Sequence, residues 1–378
     1  MSYVQYSGLS TPNEVLGKMA EYIKSRGYDI VRDVSNDYNI YDMSSIDGQR
    51  FVFKNRDNSY FIILRSANGT QIFGNTDDMD MSATSPDMDS HIQGIGMVVS
   101  EGYSDSARWY NQFRVPIAFS DKKTVHGAFL PVPTNNQFTY TLYCNNVTSP
   151  TDTIVFSLVK EDSPNNYNQC AHLIYADLEK YDSWTGGALF SGSATRDMVK
   201  TCYHCFDESI TADSCILPVL SSGVTSNTFV RVDIDSAVLS SRGNIRWASS
   251  GTDNVTGKLL SLPIRVGTTS NGDIPNYWYL QSHSRLDWGR NINTLNGVTV
   301  NMPIFVSVLV DPDVLMNYAP LGSVSGVYFV SMLNMQTRGT YEISYPNSNS
   351  LCQVFSMGKR RGAYGFDGIS IRQIDSAT

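Results

Sequence analysis

The sequence predicts a mainly β protein with a small α+β part at its N-terminus, antiparallel sheets, and a β-sandwich or jelly-roll-like central domain. Three observations predict it. Short runs of β-branched and aromatic residues recur along the chain, split by Ser, Thr, Asn, Gly and Pro clusters, a spacing that belongs to sandwiches and jelly rolls rather than to βαβ units. A single strong helix signal stands near the N-terminus. Aromatic residues make up 11% of the 378 residues, and such side chains favour a pleated, half-buried surface.

The helix is read from Thr11-Pro12-Asn13-Glu14. A capping Thr, a Pro at the first helical position and a Glu three residues after the cap allow two orphan backbone donors to be satisfied reciprocally. Val15, Leu16, Met19 and Ile23 then share one face, and Gly27 supplies a stop. The runs Arg50 to Lys54, Tyr60 to Arg65 and Thr70 to Phe73 predict an antiparallel meander beneath this helix. Asn68-Gly69 reads as a two-residue hairpin turn between the last two.

Residues 75–92 carry five Asp with no apolar period and read as a loop or linker. The stretch Ile95 to Pro116 is aromatic and punctuated by Gly, and Arg108-Trp109-Tyr110 within it suits buried packing or a guanidinium on a ring. Strands are predicted at Phe138 to Cys144, Thr153 to Lys160, Ala171 to Ala176, Thr228 to Ile234, Lys258 to Val266 and Met302 to Val310. Further strands follow at Val327 to Leu333, Thr340 to Tyr345 and Leu351 to Ser356. A closing hairpin is expected at Asp367-Gly368, with Tyr364 and Phe366 alternating before it and Ile369 and Ile371 after it. A chain of this length suggests two or three domains. The pattern divides it into an α+β domain at 1–116, a β-sandwich domain at 117–300, and a C-terminal β region at 301–378 able to pack on the N-terminal domain.

Charged residues are only 17% of the chain, against about 25% in ordinary soluble domains, and the formal net charge is −8. That balance speaks against nucleic-acid binding, which needs clustered cations for counterion release. Abundant Tyr (22 residues) among uncharged polar residues suits broad interfaces. No apolar stretch reaches the 18 or so residues of a membrane span, and the opening MSYVQYSGLS is not a secretion signal. An aqueous compartment without secretion is therefore expected. The six cysteines are then expected as reduced thiols rather than a disulfide framework. The glycosylation triplets at Asn68, Asn146 and Asn254 lose their meaning there.

Motifs for phosphate, dinucleotide, zinc-protease and serine-hydrolase chemistry are absent, and no cofactor or catalytic residue is predicted. Cys202, His204, Cys205 and Cys215 have a spacing that can hold zinc, although a second ligand pair is missing and buried thiols are the plainer reading. The acidic pairs Asp77/Asp78/Asp80, Asp87/Asp89, Asp233/Asp235 and Asp311/Asp313 read as solvated loop acids. Lys359-Arg360-Arg361 is the one compact basic run and a candidate for pairing with acidic groups on a neighbouring subunit. Trp184, Trp247, Trp278 and Trp288 are candidates for glycan contact by residue type.

The N-terminal TPNEVLGKMAEYIKSRGY helix with its small sheet resembles bacteriophage virion structural proteins of the tail, baseplate or neck. So does the closing stretch GVYFVSMLNMQTRGTYEIS through VFSMGKRRGAYGFDGISI. The resemblance covers about the first 75 and last 60 residues. It implies a non-enzymatic, virion-located protein, assembled in the host cytoplasm, that forms a symmetric homo-oligomer and contacts other tail or neck proteins. A host-glycan-binding module on a phage tail is the alternative expectation, and a glycan hydrolase or zinc-dependent enzyme the third.

Overall fold

The computed structural model describes residues 3–33, 49–68, 93–107, 112–113, 128–132, 139–161, 170–194, 227–232, 238–240, 243–244, 258–262, 301–309, 318–331, 335–343, 350–359 and 366–373. The chain opens with strand β1 (Tyr3–Leu9), then the helix α1 (Pro12–Ser25), β2 (Ile30–Arg32), β3 (Arg50–Lys54), β4 (Phe61–Asn68), β5 (Gln93–Ser100) and β6 (Ala128–Pro131). It continues through β7 (Tyr140–Val147), β8 (Thr153–Lys160), β9 (Cys170–Asp177), β10 (Glu179–Lys180), β11 (Gly186–Ala194), β12 (Asn227–Val232), β13 (Val238–Ser240), β14 (Gly243–Asn244) and β15 (Lys258–Leu262). It closes with β16 (Met302–Leu309), β17 (Tyr318–Ser331), β18 (Thr340–Ile343), β19 (Ser350–Lys359) and β20 (Phe366–Arg372). The protein is mainly β, with one helix near the N-terminus among the described residues, as its sequence predicts.

The helix forms where its capping residues place it. Thr11 Oγ1 accepts from the Glu14 N–H at 3.2 Å, and Glu14 Oε2 accepts from the Thr11 N–H at 3.1 Å and the Ser10 N–H at 2.7 Å. Gly27 at φ +73° ends it, a left-handed position at which glycine meets no Cβ penalty. Val15, Leu16, Met19 and Ile23 are all buried.

Two sheets carry the fold. The smaller is the five-stranded meander β2-β3-β4-β5-β6, so it reaches Pro131, past residue 116. The larger has fifteen strands in the order β1-β7-β8-β9-β11-β12-β13-β15-β16-β17-β20-β19-β18, with β10 beside β17 and β14 beside β13. Its pairings are antiparallel, except for the parallel contact of Ser240 with Lys258. Strand β1 is thus a strand of the larger sheet, antiparallel to β7.

The middle strands β7, β8 and β9 are covered on both faces. One face, with Leu142, Phe156 and Leu173, packs on α1 and on the inner face of the meander, including Phe51, Ile62 and Met97. The opposite face, with Tyr143, Ser157 and His172, meets the C-terminal strands: the Phe355 ring lies 5.2 Å from Tyr143 and 5.9 Å from His172. At the same interface Gln353 donates to the Tyr3 hydroxyl at 3.3 Å, and Gln373 to Asn145 at 2.8 Å. The C-terminal β region therefore packs on β1 and β7.

Strand β4 runs on to Asn68, which stands opposite Gln93; Gly69 and residues 70–73, and with them the turn expected at Asn68-Gly69, lie outside the described residues. One expected turn is corrected. Asp367 and Gly368 sit inside the continuous strand β20, opposite Ser331 and Val330 of β17. An Asp-Gly pair turns the chain only where neighbouring strands leave room; here β20 is paired on both sides, with β17 and β19.

Candidate functional site

Among the described residues, a cluster of hydrogen-bonded polar side chains joins the two sheets. Three turns build it: the end of α1 delivers Tyr28, the β3–β4 connection delivers Asn55 and Arg56, and the β7–β8 hairpin delivers Asn146 and Asp152. Tyr28 donates to Asp152 Oδ2 at 2.6 Å, and Asn146 Nδ2 lies 2.9 Å from Asp152 Oδ1, 3.0 Å from the Tyr28 hydroxyl and 3.1 Å from the Thr153 carbonyl. Arg56 reaches Asp152 Oδ1 at 3.4 Å while its guanidinium stacks 4.4 Å from the Tyr28 ring centre. Asp152 is 6% exposed and Asn146 1%, so the carboxylate is stabilised by hydrogen bonds and one cation instead of water.

A second carboxyl lies at the end of β9. Tyr175 donates to Asp177 Oδ1 at 2.6 Å, and Asn55 Nδ2 stands 3.4 Å from the same oxygen. Burial pushes the Asp177 carboxyl up to about 6, and the charges of Asp152 and Asp57 add to it, against the hydrogen bonds from Tyr175 and Asn55. The Tyr28 and Tyr175 hydroxyls are held far above the ordinary range, first by burial and then by the neighbouring carboxylates. Chemically, the arrangement clamps the meander to the larger sheet.

Two further polar groups are turned inward. His172, 1% exposed, lies with Nδ1 2.9 Å from Ser157 Oγ in the layer under Phe355. Cys144, Cys170 and Cys352 are buried free thiols; burial raises all three above the ordinary thiol value, Cys170 to about 11, which keeps them as weak nucleophiles. Among the described residues no three His, Cys, Asp or Glu side chains are grouped to hold a metal. No described helix is long and apolar enough to cross a membrane.

Of the predicted site residues, Trp184 is described. It follows β10, half-buried, with its indole N–H donating to the Leu321 carbonyl at 3.1 Å and Lys180 Nζ 5.4 Å from its ring. Its polar edge is therefore used to pin β10 to β17. Trp247, Trp278 and Trp288 lie outside the described residues, as do Cys202, His204, Cys205 and Cys215, the acidic pairs and Arg108-Trp109-Tyr110. Lys359 is the last residue of β19, opposite Phe366, and Arg360 and Arg361 lie outside the described residues.

Tyrosine is divided between the interior and the surface among the described residues: Tyr3, Tyr6, Tyr103 and Tyr341 are half-buried and Tyr181 is exposed. Tyr22, Tyr28, Tyr60, Tyr140, Tyr143, Tyr175 and Tyr328 are all buried within the chain. Asn146, the middle glycosylation triplet, is buried and hydrogen-bonded. The Asp152 junction itself went unforeseen, because Tyr28, Arg56, Asn146 and Asp152 carry no local motif and meet only through the topology.

The chain matches no protein-family model, and a search of curated proteins finds no match for it.

Proposed function

We propose that this chain is a structural component of a phage virion, in the tail, baseplate or neck, acting without catalysis through interfaces with its own copies and with other virion proteins. The observation that carries this reading is that the chain's two ends share the middle strands as support. Of the N-terminal and C-terminal stretches that resemble virion proteins, α1 and the meander pack on one face of β7, β8 and β9, and Phe355 of β19 packs on Tyr143 and His172 of the opposite face. Beside the C-terminal strands, β1 ends the larger sheet with an uncharged strand, an edge that suits association better than solvation.

The test is composition of the particle. Mass spectrometry of gradient-purified virions is expected to find the chain in fixed stoichiometry to other tail or neck proteins, and an antibody against it to label one site on the particle. Infective particles that lack the chain would overturn the reading.

A further inference from the structure

We propose that the free edge of β1 is where two copies of this chain join: the β1 strand of a second copy adds antiparallel to it, about a two-fold axis through Gln5. The choice of a second copy as occupant rests on the assembly reading above; the geometry of the edge stands by itself.

A sheet edge left open is a template for another strand, and proteins blunt such edges with short length, charge or proline. The other terminal strands of the two sheets obey this rule. Strand β2 has three residues and an Arg, β6 has four residues and ends on Pro131, and β18 has four residues with Glu342 exposed. Strand β1 has seven, Tyr-Val-Gln-Tyr-Ser-Gly-Leu, with neither charge nor proline. Among the described residues β7 is its one strand partner. Its bulge falls between Tyr6 and Leu9, where the Gly8 N–H turns to Glu161 Oε1 at 2.8 Å, so Tyr3 to Tyr6 stays regular.

The strand complements itself. With Gln5 opposite Gln5 of the second copy, Val4 faces Tyr6 and Tyr3 faces Ser7. Each pair then lies on one face of the sheet, since the side-chain period of two is preserved. Val4 and Tyr6 both pack, partly buried, against the main core, with Lys18 Nζ 5.1 Å from the centre of the Tyr6 ring, so an aliphatic side chain meets an aromatic ring. Tyr3, Gln5 and Ser7 already form a hydrogen-bonded row on the other face, at 3.0 and 3.3 Å. In a chain of net charge −8, this edge is one that two copies approach without repulsion between formal charges on the strand.

A ledge above the edge favours the same occupant. Phe355 rests on Tyr143 and His172, and Gln353, two residues earlier, has reached Tyr3 at the sheet's end. Leu351 stands one further step of about 6.8 Å along β19, 40% exposed and opposite the exposed Glu342 of β18, an apolar side chain within one strand step of the Gln353–Tyr3 contact and available to an added strand.

Gln5 is exposed, and among the described residues its side chain bonds to Tyr3 and Ser7, so charged variants there are expected to melt like the parent. At low ionic strength, sedimentation velocity is expected to show the full chain self-associating, with Gln5→Lys and Gln5→Glu each weakening association about threefold or more, as like charges directly opposite do. An equal mixture of the two variants is expected to recover parental affinity. Gln5→Cys is expected to give a disulfide-linked dimer under mild oxidation where the parent chain gives none. A parent chain that stays monomeric, or Gln5→Lys and Gln5→Glu variants that associate as tightly as the parent, would overturn the proposal. Self-association through β1 by a chain absent from virions would overturn the assembly reading alone; a virion-bound chain whose Gln5 variants associate unchanged would overturn the edge pairing alone.

Discussion

Asp177 and Asp152 belong to one junction, yet the surroundings treat them differently, and each makes a separate prediction. Asp177 has a folded-state value of about 6 against 3.8 for the free group. The folded chain therefore holds a proton that the unfolded chain has lost between about pH 4 and 6, and stability falls as pH rises through that window. A shift of this size corresponds to on the order of 2–3 kcal/mol. Asp177→Asn is expected to flatten the dependence and to raise stability at neutral pH, measured as urea midpoints at pH 4.5 and 7.5. Asp152→Ala takes away the acceptor shared by Tyr28, Asn146 and Arg56 and leaves the buried Tyr28 hydroxyl without the carboxylate it donates to. A loss of about 1–3 kcal/mol is expected in the same assay, against a smaller loss for Asp152→Asn. Neither carboxylate was legible in the sequence as a site. A single Asp between Thr and Thr at 151–153 has no signature until Tyr28, 124 residues away, is folded onto it.

Elements were legible where local chemistry decides them. The capping box gave α1, and its removal is expected to be measurable: Thr11→Ala should cost about 1 kcal/mol of stability in thermal unfolding. The runs RFVFK and TIVFSLVK match β3 and β8 residue for residue, since β-branched and aromatic density marks a strand whichever face is covered. Strand β11, GGALFSGSA, escaped notice because small residues hide its pairing with β9 and β12. The turn signal Asp367-Gly368 misled because strand pairing of β20 with β17 and β19 overrides local turn preference. Packing between layers is equally invisible locally. Gly326 of β17, at φ +68°, lies against Val147, and a Cβ there would sit inside the valine side chain. Gly326→Ala is expected to cost about 2 kcal/mol or more, from strain and overpacking together, read as a lowered urea midpoint.

For the whole molecule, composition pointed to β structure correctly, and the structure divides tyrosine between core and surface. Seven described tyrosines serve the chain's own core, so residue counts do not measure interface area. What the topology adds is the placement of the two ends, with β1 and the C-terminal strands sharing β7 as support. That placement underlies the account of this chain as a subunit that works by joining others. The most direct test is electron microscopy of the purified full-length chain. The account predicts particles with rotational symmetry in which β1 edges face each other across a contact. A field of single-chain particles, at every concentration that the grid allows, would contradict it.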